Sequence, residues 1–286
     1  MIRIFIAGAT GVIGRELIPN LLSRPGTGIR AIVRDVARAE ALFGRRVEAV
    51  EGNLLDRSIS DVLDRVLKNI DVAIHIATRV PRDRTAPGAW EENFRLRKEF
   101  TDHLVQAALR QRVPYLICQS IEMAYPDWGD NLIPEETELD TSPDRSSMTA
   151  PVRRMEELIM SADPSSLAWT ILRGGLFVGK GTDEEDLVRR MEEGTELMPE
   201  NPEVFQSHVT PGDYAEAIAL CITKRPVNQV YNVNAEPLRY ADYLQRLATS
   251  RHVPLPSAVK PGWKLLSYRC DARKIQRELG WRPRGD

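Results

Sequence analysis

The apolar positions of this chain fall into short continuous runs that alternate with stretches of helical period. MIRIFIA opens it. Ile2, Ile4 and Ile6, with Phe5 and Ala7 among them, form a run of β-formers such as a strand buried on both faces shows. In RELIPNLL the period changes, and Leu17, Ile18, Leu21 and Leu22 recur at helical spacing. IRAIV, RVEAVEGN, DVAIHIAT and VPYLICQS repeat the strand pattern. Between them lie VARAEALF, SISDVLDRVLKNI (with Ser58 or Ser60 as cap) and the long ENFRLRKEFTDHLVQAALRQR, all of helical period. Five strands joined by helices predict an α/β fold with a doubly wound parallel sheet.

The second half is less regular. Residues 125–151 read as loop, and a helix is expected to begin at Pro151 with VRRMEELIM. LAWTILRGGLFVG predicts a strand and a glycine turn, and VNQVYNVN a short late strand. DYAEAIALCI, ADYLQRLATS and ARKIQREL have helical period, while residues 181–208 are acidic and irregular. The expected division is a nucleotide-binding body over residues 1–173 and a smaller C-terminal substrate-binding lobe over 174–286. Segments near 209–235 are expected to return to the body.

The turn after the first strand adds chemistry. In GATGVIG, Gly8, Gly11 and Gly14 stand three apart, between strand and helix. The first glycine permits a tight turn, the second lets a pyrophosphate approach the backbone, and the third lets helix and strand pack closely. Thr10, Val12 and Ile13 complete a phosphate cradle at the positive end of the helix. The body is therefore a Rossmann-type nucleotide-binding sheet.

Composition narrows the remaining choices. A net charge of −2 over 286 residues gives no basic footprint for nucleic acid. Three cysteines without a CxxC suggest reduced thiols and a cytoplasmic protein. No apolar run approaches the ~18 residues of a membrane span, and no metal-ligand spacing is present. The expected partner is a small molecule, and the chain is expected to be a monomer or homodimer.

Taken in order, GATGVIG, GNLLD, HIAT, the long helix leading to VPYLICQS, ILRGGLFVG, HVTPGDYAEAI and RCDARKIQRELGWRP resemble the extended and atypical short-chain dehydrogenases/reductases, the epimerase/dehydratase-like branch. The resemblance spans nearly the whole chain. It implies cofactor contacts at Asn53 and Leu54, at Ala77, and at Gly174 and Leu176.

The end of the second strand reads the cofactor ribose. An acid there accepts from a 2′-hydroxyl, whereas a guanidinium pairs with a 2′-phosphate. Arg34 stands at that end, with Arg15 and Arg38 near in sequence, so NADP(H) is expected over NAD(H). The alternative is a solvated Arg34, with Asp35 on the hydroxyl.

The resemblance also implies a serine, a tyrosine and a lysine four residues later as the catalytic set. Ser120 matches the serine. The Tyr-x-x-x-Lys pair is absent. With Glu157 aligned on the family's glutamate, Thr149 occupies the tyrosine position and Arg153 the lysine position; Met148 and Arg154 are the out-of-frame alternatives. Neither threonine nor arginine can exchange a proton near neutrality, although Arg153 can still bind the cofactor. Tyr125, His75 and His208 are expected to be structural.

Three accounts remain open. The chain is a ketoreductase whose proton comes from water or substrate, as in atypical polyketide ketoreductases of antibiotic pathways. Or it is a cofactor-retaining isomerase or dehydratase. Or it is a non-catalytic cofactor-binding sensor. Trp90, Trp128, Phe177 and Phe205 would wall a flat ligand, and residues 79–90 and 187–208 would shape its pocket.

Overall fold

The computed structural model describes residues 1–81, 86 and 88–285. Part of the expected substrate loop at 79–90 therefore lies outside the described residues. The chain begins β1 (Ile2–Ala7), α1 (Val12–Leu22), β2 (Thr27–Val33), α2 (Val36–Phe43), β3 (Val47–Glu51), α3 (Ile59–Val66) and β4 (Val72–His75). After α4 (Glu91–Arg95), a π-helical turn at Leu96–Phe100 leads into α5 (Thr101–Arg110) and β5 (Tyr115–Ile121). Then follow α6 (Ser146–Met160), β6 (Ala168–Gly174), β7 (Leu176–Phe177), α7 (Asp183–Glu192), β8 (Phe205–Gln206), β9 (His208–Val209) and α8 (Pro211–Lys224). The chain ends with β10 (Gln229–Val233), β11 (Leu238–Arg239), α9 (Tyr240–Arg251) and α10 (Arg273–Leu279).

Seven strands form one sheet in the order β10-β6-β5-β4-β1-β2-β3. β1 runs parallel to β2 and β4, β2 to β3, and β4 to β5. The order reverses beside β1, and that reversal opens a crevice at the carboxyl ends of the strands. This is a Rossmann-type doubly wound parallel sheet with flanking helices and a smaller C-terminal lobe.

The chain divides into two compact units. The first comprises Met1–Ser120, Asp140–Leu172 and Ala215–Val230. Its core joins Phe5, Leu63, Phe100, Leu104, Leu116, Met155, Ile159 and Trp169. These residues come from β1, β5, β6 and four helical segments, so the sheet face and its covering helices are buried together. The second unit comprises Ile121–Leu139, Arg173–Tyr214 and Tyr231–Asp286. There Met191 of α7 packs with Leu244, Leu247 and Ala248 of α9.

Three local expectations are corrected. Helix α6 begins at Ser146 and carries Pro151 inside it, so Thr149 lies within a helix and not ahead of one. One lost backbone bond at proline is outweighed by burying Thr149, Val152, Met155, Glu156 and Ile159 on one face. Residues 181–208 are not wholly irregular, because α7 lies among them. The Thr182 side chain caps α7, and Asp183, Glu184, Glu185 and Asp186 fill its first turn, where negative charge suits the helix dipole. Ser58 stands at the α3 N-cap but makes no side-chain cap; its Oγ donates to Asp56 Oδ1 (2.7 Å).

Candidate active site

The first unit builds a dinucleotide cradle at the β1–α1 turn. Gly8 has φ +103°, and a Cβ there would lie 2.6 Å from the Ile76 carbonyl carbon and 2.7 Å from Ala77 N. A Cβ on Gly14 would lie 2.1 Å from the Ala9 carbonyl oxygen. Both positions therefore exclude any side chain. Gly11 caps α1 with its backbone alone: its N–H donates to Gly8 O (3.1 Å), and no side chain closes the helix end. The first turn of α1 holds no acid. An uncapped positive helix end above a side-chain-free turn fits a pyrophosphate. Thr10 and Val12 are half-buried around it, while Ile13 is buried beneath.

The other expected cofactor residues of this unit lie at the same strand ends. Ala77 follows β4 and donates from its N–H to His75 Nδ1 (3.3 Å). Asn53 follows β3; it is exposed, and its Oδ1 accepts from Leu55 N (3.1 Å). Leu54 is half-buried beside it. Arg34 follows β2 and is exposed. Asp35 follows it and caps α2, with Oδ1 accepting from Arg38 N (2.9 Å). The Arg15 guanidinium donates to Thr10 O (3.1 Å), within the turn itself.

At the end of β5, Ser120 is fully buried. Its Oγ donates to Glu156 Oε1 of α6 at 2.5 Å. The hydroxyl proton is thus committed to a carboxylate. Thr149 is also fully buried, and its Oγ1 donates to Arg145 O (3.2 Å). Arg153 lies one turn before Glu156 on the same helix. Its Nε is buried without a hydrogen-bond partner among the described residues. The Gln119 Oε1 and His75 Nε2 atoms are buried without partners in the same sense.

Arg97, on the π-helical turn, is buried too. Burial, reinforced by the Arg97 charge, pushes the His75 imidazole down to about 3, so it is neutral in use. Arg97 and Glu156 also both act on the Cys118 thiol, which burial raises far above its ordinary range. Glu157, the alignment anchor in the sequence, is exposed beside Arg154 (3.6 Å); the buried acid of this helix is Glu156.

The second unit holds the remaining expected residues. Gly174 ends β6, where a Cβ would lie 2.8 Å from the Tyr214 ring. Leu176 is half-buried in β7, its N–H on Ser207 O (2.8 Å). The Tyr125 hydroxyl is occupied on both sides: it donates to Asn232 Oδ1 (2.9 Å) and accepts from Arg173 (2.6 Å). The His208 ring stacks on Tyr243 at 4.2 Å, and burial lowers its pKa to about 4. Tyr243 donates to Glu184 Oε1 (2.7 Å).

Glu122 is a residue the sequence reading passed over. It is fully buried, and burial raises its carboxyl to about 8, with Cys270, Ser207 and the Val233 backbone around it. Glu156 was also missed, although an acid among Val152, Met155 and Ile159 on an apolar helix face is a visible signal. Among the described residues no group of acids, histidines and cysteines could hold a metal ion, and no helix is long and apolar enough to cross a membrane.

Comparison with known proteins agrees with this geometry. Residues 8–225 match the NAD(P)H-binding family model. A 3-diazoavenalumate denitrifying reductase from Streptomyces sp. is 30% identical over 299 aligned positions, covering 98% of this chain and 96% of that protein. Among solved structures, a dTDP-glucose 4,6-dehydratase from Streptomyces venezuelae, with NAD bound, superposes with a TM-score of 0.82 at 20% identity. It covers 100% of this chain and 93% of that one. A UDP-glucuronic acid 4-epimerase variant from Bacillus cereus, also with NAD, gives 0.79 at 18% identity, covering 100% and 95%.

The chain belongs to the NAD(P)H-binding family and has the fold of its extended, epimerase/dehydratase-like short-chain dehydrogenase/reductase branch. The expectation of NADP(H) is corrected. The dinucleotide in these similar structures is NAD. The physical reason lies at the end of β2. There the Asp35 carboxylate, fixed at the mouth of α2, is the group that favours a ribose hydroxyl and repels a 2′-phosphate, and Arg34 beside it is exposed.

Proposed function

We propose that this protein is a nicotinamide-dependent reductase that delivers a hydride to an acceptor needing no proton from the enzyme. One observation carries the reading: the face of α6 where the family places its proton donor holds Thr149 and Arg153. Neither group titrates near neutrality. Bound NADH would supply the hydride, and the chain supplies position and charge. The glycine turn and the α1 N-terminus would hold the pyrophosphate. Asp35 would hold the adenosine ribose, and Arg153 keeps a permanent positive charge on α6.

The denitrifying reductase that resembles this chain points to an acceptor class with this demand. When a hydride replaces the diazo group of an arenediazonium, a C–H bond forms, the C–N bond breaks, and its electron pair leaves with dinitrogen. The balance contains no proton. A ketone, including a polyketide ketone, needs one, so ketone reduction requires a donor in the substrate or in water.

The solved neighbours favour a second reading over ketone reduction. They are dehydratases and epimerases, which is the chemistry of a cofactor-retaining isomerase or dehydratase. That chemistry must take a proton from the substrate, and neither Thr149 nor Arg153 can hold it.

Two incubations separate these readings. With NADH deuterated at the transferable position and an arenediazonium salt, the reductase reading expects dinitrogen release and label in the arene. Label drawn instead from heavy water, or no release, defeats it. Conversion of a sugar nucleotide with no net change in NADH supports the second reading.

A further inference from the structure

We propose, resting on the hydride-transfer reading above, that the acceptor is an aryl diazo compound bearing an anionic oxygen, and that Arg153 selects it. The argument is one of charge. On the face of α6 toward β5, Thr149 has its hydroxyl on the Arg145 carbonyl, and Glu156 takes the Ser120 hydroxyl. His75 contributes no charge because its imidazole is neutral. Two guanidiniums belong to this corner: Arg97, buried on the π-helical turn, whose charge reaches His75 and Cys118, and Arg153, whose Nε is buried and unpartnered among the described residues. Arginine keeps its charge at every working pH.

A bare diazonium brings a further positive charge to these arginines and is repelled. A diazo compound with a phenolate or carboxylate oxygen is neutral overall and gives Arg153 a planar, charge-assisted partner. The step itself strengthens that contact. A hydride adds one negative charge to the substrate, dinitrogen leaves neutral, and the oxyanion-bearing arene carries the charge away. Arg153 therefore meets more negative charge as the reaction proceeds, which is the condition for favouring the transition state over the bound substrate. Lysine would offer a point charge; arginine offers a fork matched to an oxygen pair.

The test uses the full chain with NADH and three salts: benzenediazonium, its ortho-hydroxy derivative and its carboxylate derivative. At least one oxyanion-bearing salt is expected to be reduced with kcat/KM about ten- to hundredfold above the parent, the range of one charge-assisted hydrogen bond. The arm that responds identifies the source of the oxyanion. Arg153→Gln is expected to lower kcat/KM for the preferred oxyanion-bearing salt by the same ten- to hundredfold and so erase the preference. Arg153→Lys is expected to restore part of it. NADH affinity, read by fluorescence titration, should hold in both variants, and calorimetry should show weakened binding of the denitrified oxyanion product to Arg153→Gln.

Equal turnover of all three salts overturns the proposal while leaving the reductase reading intact. Loss of NADH affinity in Arg153→Gln with the preference retained assigns Arg153 to the cofactor and overturns it as well. Absence of dinitrogen release with every salt defeats the reductase reading itself, and this proposal with it.

Discussion

Two places at the carboxyl edge of the first unit's sheet behave differently. The β1–α1 turn keeps the family pattern, and its geometry follows from missing side chains: a Cβ on Gly8 or Gly14 would collide with backbone. The β5–α6 corner departs from the pattern, and everything there depends on which side chains are present. Ser120 donates its hydroxyl hydrogen bond to Glu156, Thr149 turns to Arg145, and Arg153 keeps a buried Nε without a partner among the described residues. Binding a dinucleotide is a backbone property, robust to changes elsewhere. Reaction chemistry rests on a few side chains, and replacing one pair can remove the proton while the cofactor site stays whole.

The contrast can be broken most strongly at the turn. Gly14→Val should cost several kcal/mol, because the new Cβ must displace the Ala9 backbone. Thermal melting and NADH titration should both register the loss; wild-type melting with wild-type affinity would show that the turn tolerates what its geometry forbids.

At the β5–α6 corner the largest effect is expected from Glu156→Ala. It strips a buried acceptor from Ser120 and a counter-charge from the neighbourhood of Arg97, a loss of about 3 kcal/mol. Urea midpoints measure it. Ser120→Ala in the same assay should cost about 1 kcal/mol.

A third outcome concerns the second unit. The Glu122 carboxyl is raised from its ordinary value to about 8 in the fold, so above its unfolded pKa the unfolded chain holds fewer protons than the folded one. Its contribution to stability is full below about pH 4.5 and is lost as pH rises toward 8. Glu122→Gln should flatten the pH dependence of the melting temperature across that window. An unchanged slope would exclude Glu122 as its source.

The smallest effect sharpens the comparison. Thr149→Val should leave kcat within about twofold, because this hydroxyl is occupied by the Arg145 carbonyl and donates nothing to the reaction. A folded but inactive variant would return a proton-transfer role to this position.

Much of the fold was legible because period and glycine spacing are local. The run from Ile2 to Ala7, the three glycines and the apolar helix faces each state their own structure. The misreadings arose where a local rule met a tertiary one. Pro151 reads as a helix start, yet burial of the α6 face carries the helix back to Ser146. The acids of α7 read as solvated loop, although Thr182 and a run of four acids is also a helix-start signature. Arg34 reads as a phosphate ligand because a guanidinium at the end of β2 outshines the acid beside it; the fold fixes Asp35 there as the cap of α2.

By itself, the sequence determined the parallel sheet, the dinucleotide cradle and the absence of the tyrosine–lysine pair, because each is written in residues close together along the chain. Only the tertiary structure decided what stands in that pair's place. Glu156, not Glu157, is the buried acid; Ser120 is spent on it; and the Arg153 Nε lies buried without a partner among the described residues. These facts depend on which side of α6 meets the end of β5, a contact between residues 36 positions apart that no local period encodes.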